Sequence, residues 1–197
     1  MRAIDLFAGC GGFTTGALVA GARVVWAANH WQVAVDVHRQ NHPSVDHSCQ
    51  DLQQANWTHV PAHDLLLASP ACQGHSIARG KERPHHDALR STAWAVVACA
   101  EAHRPRRLIV ENVPDFRRWV LFDSWVGALQ RLGYSITAWC LDAADFGVPQ
   151  HRIRLFVVGL LDGSVTEPRP TNETRRTARS ILDQSGAWAR VRTKGER

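Results

Sequence analysis

The chain has 197 residues, 45% of them hydrophobic, and 23 Lys/Arg against 18 Asp/Glu. That is enough for one well-buried α/β domain, and no run approaches the roughly 18 apolar residues that a membrane span needs. No basic segment followed by an apolar stretch opens the chain, so no secretory signal is read, and five cysteines without a C-x-x-C spacing fit free thiols in the cytoplasm.

Residues 1–168 hold 15 basic and 15 acidic side chains, so the whole positive excess lies beyond them. Such a basic tail can attract nucleic-acid phosphates, or can simply be a solvated end.

The first predicted strand is Ala3 to Phe7, followed by a glycine-rich turn and a helix from Phe13 to Val19. A strand over Val24 to Ala28 and a helix over Trp31 to Gln40 come next, closed off by Pro43. Residues 43–63 read as polar and irregular, and Leu65 to Ala68 as a short strand of the buried parallel kind. Ser76 to Asp87, with Gly80 and Pro84, reads as a loop, and Ala88 to His103 as a helix. Then come a strand at Leu108 to Val110 and a helix from Phe116 to Leu132 capped by Gly133. Strands at Tyr134 to Leu141 and Ile153 to Gly159 follow, and a weak helix at Ala178 to Gln184. This alternation predicts a doubly wound α/β sheet with a largely parallel core. A composition shift near Asp162 divides a domain over 1–162 from a basic tail over 163–197.

Four segments carry the chemistry. Asp5-Leu6-Phe7-Ala8-Gly9-Cys10-Gly11-Gly12 joins the first strand to the first helix, where glycines let a ligand approach the backbone. It is not a clean G-x-G-x-x-G, and a tight turn without a ligand is the alternative. Cys72 stands on a loop straight after the buried strand Leu65 to Ala68, the place where an α/β enzyme carries a nucleophile. Glu111 ends the apolar strand Leu108 to Val110, at the sheet edge beside that loop. It is either a general acid or a structural partner for Arg104, Arg106 or Arg107. Arg152 and Arg154 alternate along the start of the last strand and so face one side, as a phosphate and base contact or as an ordinary charged strand edge.

These segments, in this order, resemble the DNA cytosine-5 methyltransferases over roughly residues 3–160. The resemblance implies a Rossmann-like S-adenosylmethionine-dependent methyltransferase fold, with an antiparallel strand at the edge of its sheet. It implies methyl transfer to carbon 5 of a flipped cytosine. In that reading Cys72 adds to ring carbon 6, Glu111 serves ring nitrogen 3, and Arg152 and Arg154 hold the base and its phosphate. The resemblance places Asp5, Phe7, Gly9, Gly11, Gly12, His30, Trp31, Asp51, Leu52 and Pro70 around the S-adenosylmethionine, with Trp31 against adenine and Asp51 on its amine. The loop Ser76 to Asp87 would close over the base.

The chain departs from the family pattern at three matched positions. Ala71 stands where proline usually precedes the cysteine, His30 where an acidic residue meets the ribose, and His75 where phenylalanine is usual. The family's target-recognition region would follow Arg197. The resemblance therefore implies a catalytic portion, nucleoid-associated on DNA, with a possible second subunit for recognition. An inactive fragment or subunit, and an RNA cytosine-5 methyltransferase, are the alternatives. No metal site is read, because the histidine pairs lack a ligand set.

Overall fold

The computed structural model describes residues 1–70, 91–171 and 175–182. Cys72 and the expected loop Ser76 to Asp87 lie outside the described residues. The chain divides into two compact units, Met1–Leu141 with Ile153–Pro168, and Asp142–Arg152 with Arg169–Arg197.

The first unit is built on one sheet. Its strands are β1 (Arg2–Leu6), β2 (Arg23–Asn29), β3 (Asp46–Cys49), β4 (Leu65–Ala68), β5 (Arg107–Asn112), β6 (Ser135–Asp142) and β7 (Ile153–Leu160), ordered β3-β2-β1-β4-β5-β7-β6. The pairings from β3 through β5 are parallel, and β7 runs antiparallel to β5. This is the mostly parallel, doubly wound fold that the alternation predicts. The antiparallel strand sits one place in from the edge, and β6 takes the edge itself.

Side chains alternate across the pleat, so each strand feeds two cores. Ile4, Leu6, Leu66 and Ala68 join Val96, Cys99 and Ala100 of α3 (Trp94–His103) and Trp125 and Leu129 of α4 (Phe122–Arg131). Ala3, Leu65 and Leu67 join Ala17 of α1 (Gly12–Val19) and Val24 and Ala27 of β2 on the other face. Asp5 also falls on that second face, where Thr14 of α1 bonds it and His38 of α2 (Gln32–Asn41) bonds Thr14.

Three expectations change. The stretch read as irregular contains β3, whose sequence Asp-His-Ser-Cys shows no apolar alternation because it is a partly exposed sheet edge. The helix expected from Phe116 to Leu132 is broken. Pro114–Arg118 form a 3-10 turn, Phe116 stacks on Trp119 with ring centroids 5.5 Å apart, and α4 starts only at Phe122. Arg152 precedes β7 rather than lying in it.

Candidate active site

The carboxyl ends of β1 to β4 open on a cleft of about 480 Å³ lined by Phe7, Asn29, His30, Gln50, Asp51, Leu52, Gln53, Ser69 and Thr92. Parallel strands bring these residues together. Phe7 follows β1, Asn29 ends β2, Gln50 follows β3 and Ser69 follows β4. The edge is tied by backbone bonds from Gln50 to the Asn29 carbonyl (3.0 Å) and from Ser69 to the Leu6 carbonyl (3.0 Å). Open α/β sheets take ligands at this edge. Phe7 holds φ +59°, a left-handed conformation that a bulky L-residue rarely adopts.

Of the expected cofactor residues, Phe7, His30, Asp51 and Leu52 line the cleft. Pro70 is buried beside Ser69, and Trp31 is 58% exposed at the start of α2. Gly9, Gly11 and Gly12 form the loop from Phe7 into α1. Asn29, Gln50, Gln53, Ser69 and Thr92 were not expected; strand order, rather than sequence spacing, brings them in.

Asp5 lies behind the cleft, fully buried. Its Oδ2 accepts a 2.7 Å bond from the Thr14 hydroxyl, and Oδ1 has no partner among the described residues. Thr14 Oγ1 is 3.1 Å from His38 Nε2, and His38 Nδ1 is 2.8 Å from His47 Nε2. Burial pushes the Asp5 carboxyl up to about 7, against the lowering effect of the Thr14 bonds. Burial, together with His47 and His42, pushes His38 down to about 4, so it is neutral at pH 7.

On β5, the strand next to β4, Glu111 Oε1 meets Arg154 Nε of β7 at 3.0 Å, with both side chains about a quarter exposed. The partner of Glu111 is thus Arg154, and not Arg104, Arg106 or Arg107. Asn112, buried, donates to the Pro70 carbonyl (3.2 Å) and accepts from the Val113 amide (2.8 Å). It thereby fixes the end of β5 to the residue that leads into the Cys72 segment.

The second unit carries Arg152. The Asp142 carboxylate accepts from the Ala144 amide (3.1 Å), the Arg152 amide (2.9 Å) and His151 Nδ1 (2.8 Å). Those bonds hold Asp142 down to about 2, the Arg152 amide first. Arg175 binds Asp145 at 2.6 Å and lies 3.4 Å from both ring nitrogens of His151.

Of the described cysteines, Cys10, Cys49 and Cys140 are exposed, whereas Cys99 is buried and its thiol pushed up to about 12 by that burial. Among the described residues no cluster of three or more His, Cys, Asp or Glu could hold a metal, and no helix is long and apolar enough to cross a membrane.

The family model for C-5 cytosine-specific DNA methylases matches residues 1–191. The chain belongs to that family. Among curated relatives it is 39% identical to the type II methyltransferase M.HgiBI of Herpetosiphon aurantiacus, over 81% of this chain and 37% of the relative. It is 31% identical to the type II methyltransferase M.HhaI of Haemophilus parahaemolyticus, over 80% of this chain and 48% of the relative. The fold matches the crystal structure of the S. pombe Dnmt2 methyltransferase with a TM-score of 0.76, at 18% identity, covering 95% of this chain and 61% of that one. The chain thus spans between 37% and 63% of the length of the curated relatives. Family membership makes S-adenosylmethionine the methyl donor that the cleft must be measured against. The cleft fits it in size and lining: about 480 Å³, with apolar Phe7 and Leu52 and polar Asn29, His30, Asp51 and Ser69.

Proposed function

We propose that this chain carries the methyl-transfer part of a DNA cytosine-5 methyltransferase. One observation carries the reading. The cleft at β1 to β4 and the Glu111–Arg154 pair at β5 and β7 share one sheet edge, and Asn112 anchors the lead into Cys72 between them.

Phe7, His30, Asp51 and Leu52, with Asn29 and Ser69, hold S-adenosylmethionine, and Trp31 covers its adenine. Bound there, it supplies an electrophilic methyl group. The Cys72 thiolate forms a bond to cytosine carbon 6, and the electron pair of the 5,6 double bond becomes available at carbon 5. Glu111 hydrogen-bonds ring nitrogen 3 as charge develops on the ring, and Arg154 keeps its carboxyl in place. Once carbon 5 carries the methyl group, a water molecule takes the carbon 5 proton, the freed pair re-forms the 5,6 double bond, and the carbon 6–sulfur bond breaks to release the Cys72 thiolate. Arg152 and the basic residues of 163–197 meet the phosphates around a flipped base. Target recognition falls to a region outside this catalytic part, in a continuation of the protein or in a second subunit, and the enzyme works in the cytoplasm on nucleoid DNA.

The test uses the full chain, alone and with a candidate recognition subunit, given DNA and S-adenosylmethionine labelled in the methyl group. Labelled 5-methylcytosine is expected, and is lost in Cys72→Ala. No methylcytosine under either condition, with the cofactor bound, would overturn the reading. Label appearing on tRNA but not on duplex DNA would move the substrate to RNA.

A further inference from the structure

The loop between β1 and α1 is an unusual piece of backbone. Phe7, Gly9 and Gly11 all have positive φ, at 59°, 54° and 99°. Glycine takes such angles freely, but Phe7 does not, and its conformation persists only where its surroundings over-determine it. Inside the loop, Gly11 N–H donates to the Ala8 carbonyl (3.0 Å), and Ala8 N–H to the Ala28 carbonyl of β2 (3.1 Å). The Gly11 carbonyl accepts the Thr15 amide of α1 (2.8 Å), and further support comes from the far end of α2 and from the Thr15 side chain. Asn41 Nδ2 donates to the Cys10 carbonyl at 2.9 Å. His42 Nε2 lies 3.1 Å from the Gly11 carbonyl. A carbonyl can only accept, so Nε2 carries the proton. Thr15 Oγ1 donates to the same carbonyl at 2.9 Å.

The packing is as specific as the bonds. A Cβ built on Gly11 would fall 2.5 Å from the His42 ring and 3.2 Å from the His38 ring. Position 11 therefore has to be glycine for two reasons, its φ and the imidazoles packed against it. With the Cys10 and Gly11 carbonyls engaged by α2, the N–H groups of Gly9, Cys10 and Gly12 have no partner among the described residues. Phe7, at the start of the same loop, lines the cleft. Neither Asn41 nor His42 lines it.

We propose that His42 and Asn41 are positioning residues of the cofactor cleft, setting its affinity by holding the carbonyls of Gly11 and Cys10. They touch no ligand and act through the Phe7–Gly12 backbone. This rests on the reading of the cleft as the S-adenosylmethionine site. His42 contributes more, because it is buried and its ring packs against Gly11. Asn41 is exposed and contributes one bond.

Calorimetric titration of S-adenosylmethionine into the full chain tests this, with His42→Leu, His42→Gln and Asn41→Ala, each also melted thermally. Leucine keeps bulk without a donor. Glutamine offers an amide N–H at the reach of Nε2. The expected result is a Kd about 10-fold weaker for His42→Leu, recovered to within about 3-fold by His42→Gln, and about 3-fold weaker for Asn41→Ala, the loss of one hydrogen bond or less in each case. Wild-type Kd in a cooperatively melting His42→Leu would overturn the proposal while the cofactor reading stands. So would equal losses in the leucine and glutamine variants. If His42→Leu does not fold, Asn41→Ala decides, and an unchanged Kd there is a refutation. No saturable binding by the wild-type chain would overturn the cofactor reading and this proposal together.

Discussion

Asp5 and Asp142 are carboxylates pushed in opposite directions. Asp5, buried in the first unit with one oxygen unpaired among the described residues, sits up at about 7. Asp142, in the second unit, takes three donors at the chain's own turn and sits down at about 2. Desolvation governs the first and hydrogen bonding the second. The cofactor side is thus held by a buried, mostly neutral network of threonine and histidine. The segment that carries Arg152 is held by a largely covered carboxylate that takes two backbone amides and one exposed histidine. The two should respond differently to substitution, pH and salt.

The largest expected effect is on chemistry rather than on either scaffold. Glu111→Gln keeps the shape and a contact to Arg154 but removes the titratable proton. The rate of methyl transfer should fall by about 10²- to 10³-fold, with S-adenosylmethionine Kd, read by calorimetry, unchanged. A parallel loss of cofactor binding would show that the β5 end and the cleft are not separate.

The Asp5 network predicts an uncommon pH profile. Its carboxyl is raised from 3.8 to about 7 on folding, so its contribution is fully present below about pH 4 and is lost as pH rises to about 7. Asp5→Asn keeps an acceptor for Thr14 but cannot ionise. Thermal or urea unfolding at pH 5 and pH 8 should show the wild type losing about 2 to 3 kcal/mol more than the variant over that interval. Equal slopes would mean that Asp5 is solvated or paired.

Asp142 has the opposite sign. Its folded value lies below the ordinary one, so its clamp is complete above about pH 4 and is lost as pH falls toward 2. Asp142→Ala should raise KM for DNA about 10-fold at neutral pH, leaving S-adenosylmethionine Kd unchanged. Asp142→Asn, which keeps an acceptor, should lie between. The smallest effect is that of Arg175→Ala. Exposed ion pairs contribute little and are screened, so a KM change of about 2-fold at low salt should vanish at 0.5 M salt. A salt-insensitive effect would mean that Arg175 acts through packing rather than through its charge.

Much of this was legible in the sequence, for a physical reason. Buried parallel strands are short apolar runs, so Leu65 to Ala68 and Leu108 to Val110 announce themselves, and their ends place Pro70 and Glu111. The glycine-rich loop was legible because positive φ leaves a mark in residue choice. β3 was not, since an exposed edge strand carries no apolar pattern. The break before α4 was hidden because Phe116 and Trp119 read as helical periodicity, whereas they stack on each other outside a helix. Arg154 as the partner of Glu111 follows from the antiparallel register of β5 and β7, which spacing along the chain does not encode. The His42 and Asn41 contacts cross about thirty residues, and a histidine-rich stretch gives no hint of which carbonyl it will hold.

The central claim is that Cys72 is the nucleophile for which this sheet edge is built. It is tested most directly by incubating the full chain, with its recognition partner where one is found, with S-adenosylmethionine and DNA bearing 5-fluorocytosine, which cannot release the carbon 5 substituent. The account predicts a denaturation-resistant protein–DNA adduct whose mass maps to Cys72 and which Cys72→Ser does not form. An adduct on another cysteine, or none while methylcytosine is still made from ordinary DNA, would contradict it.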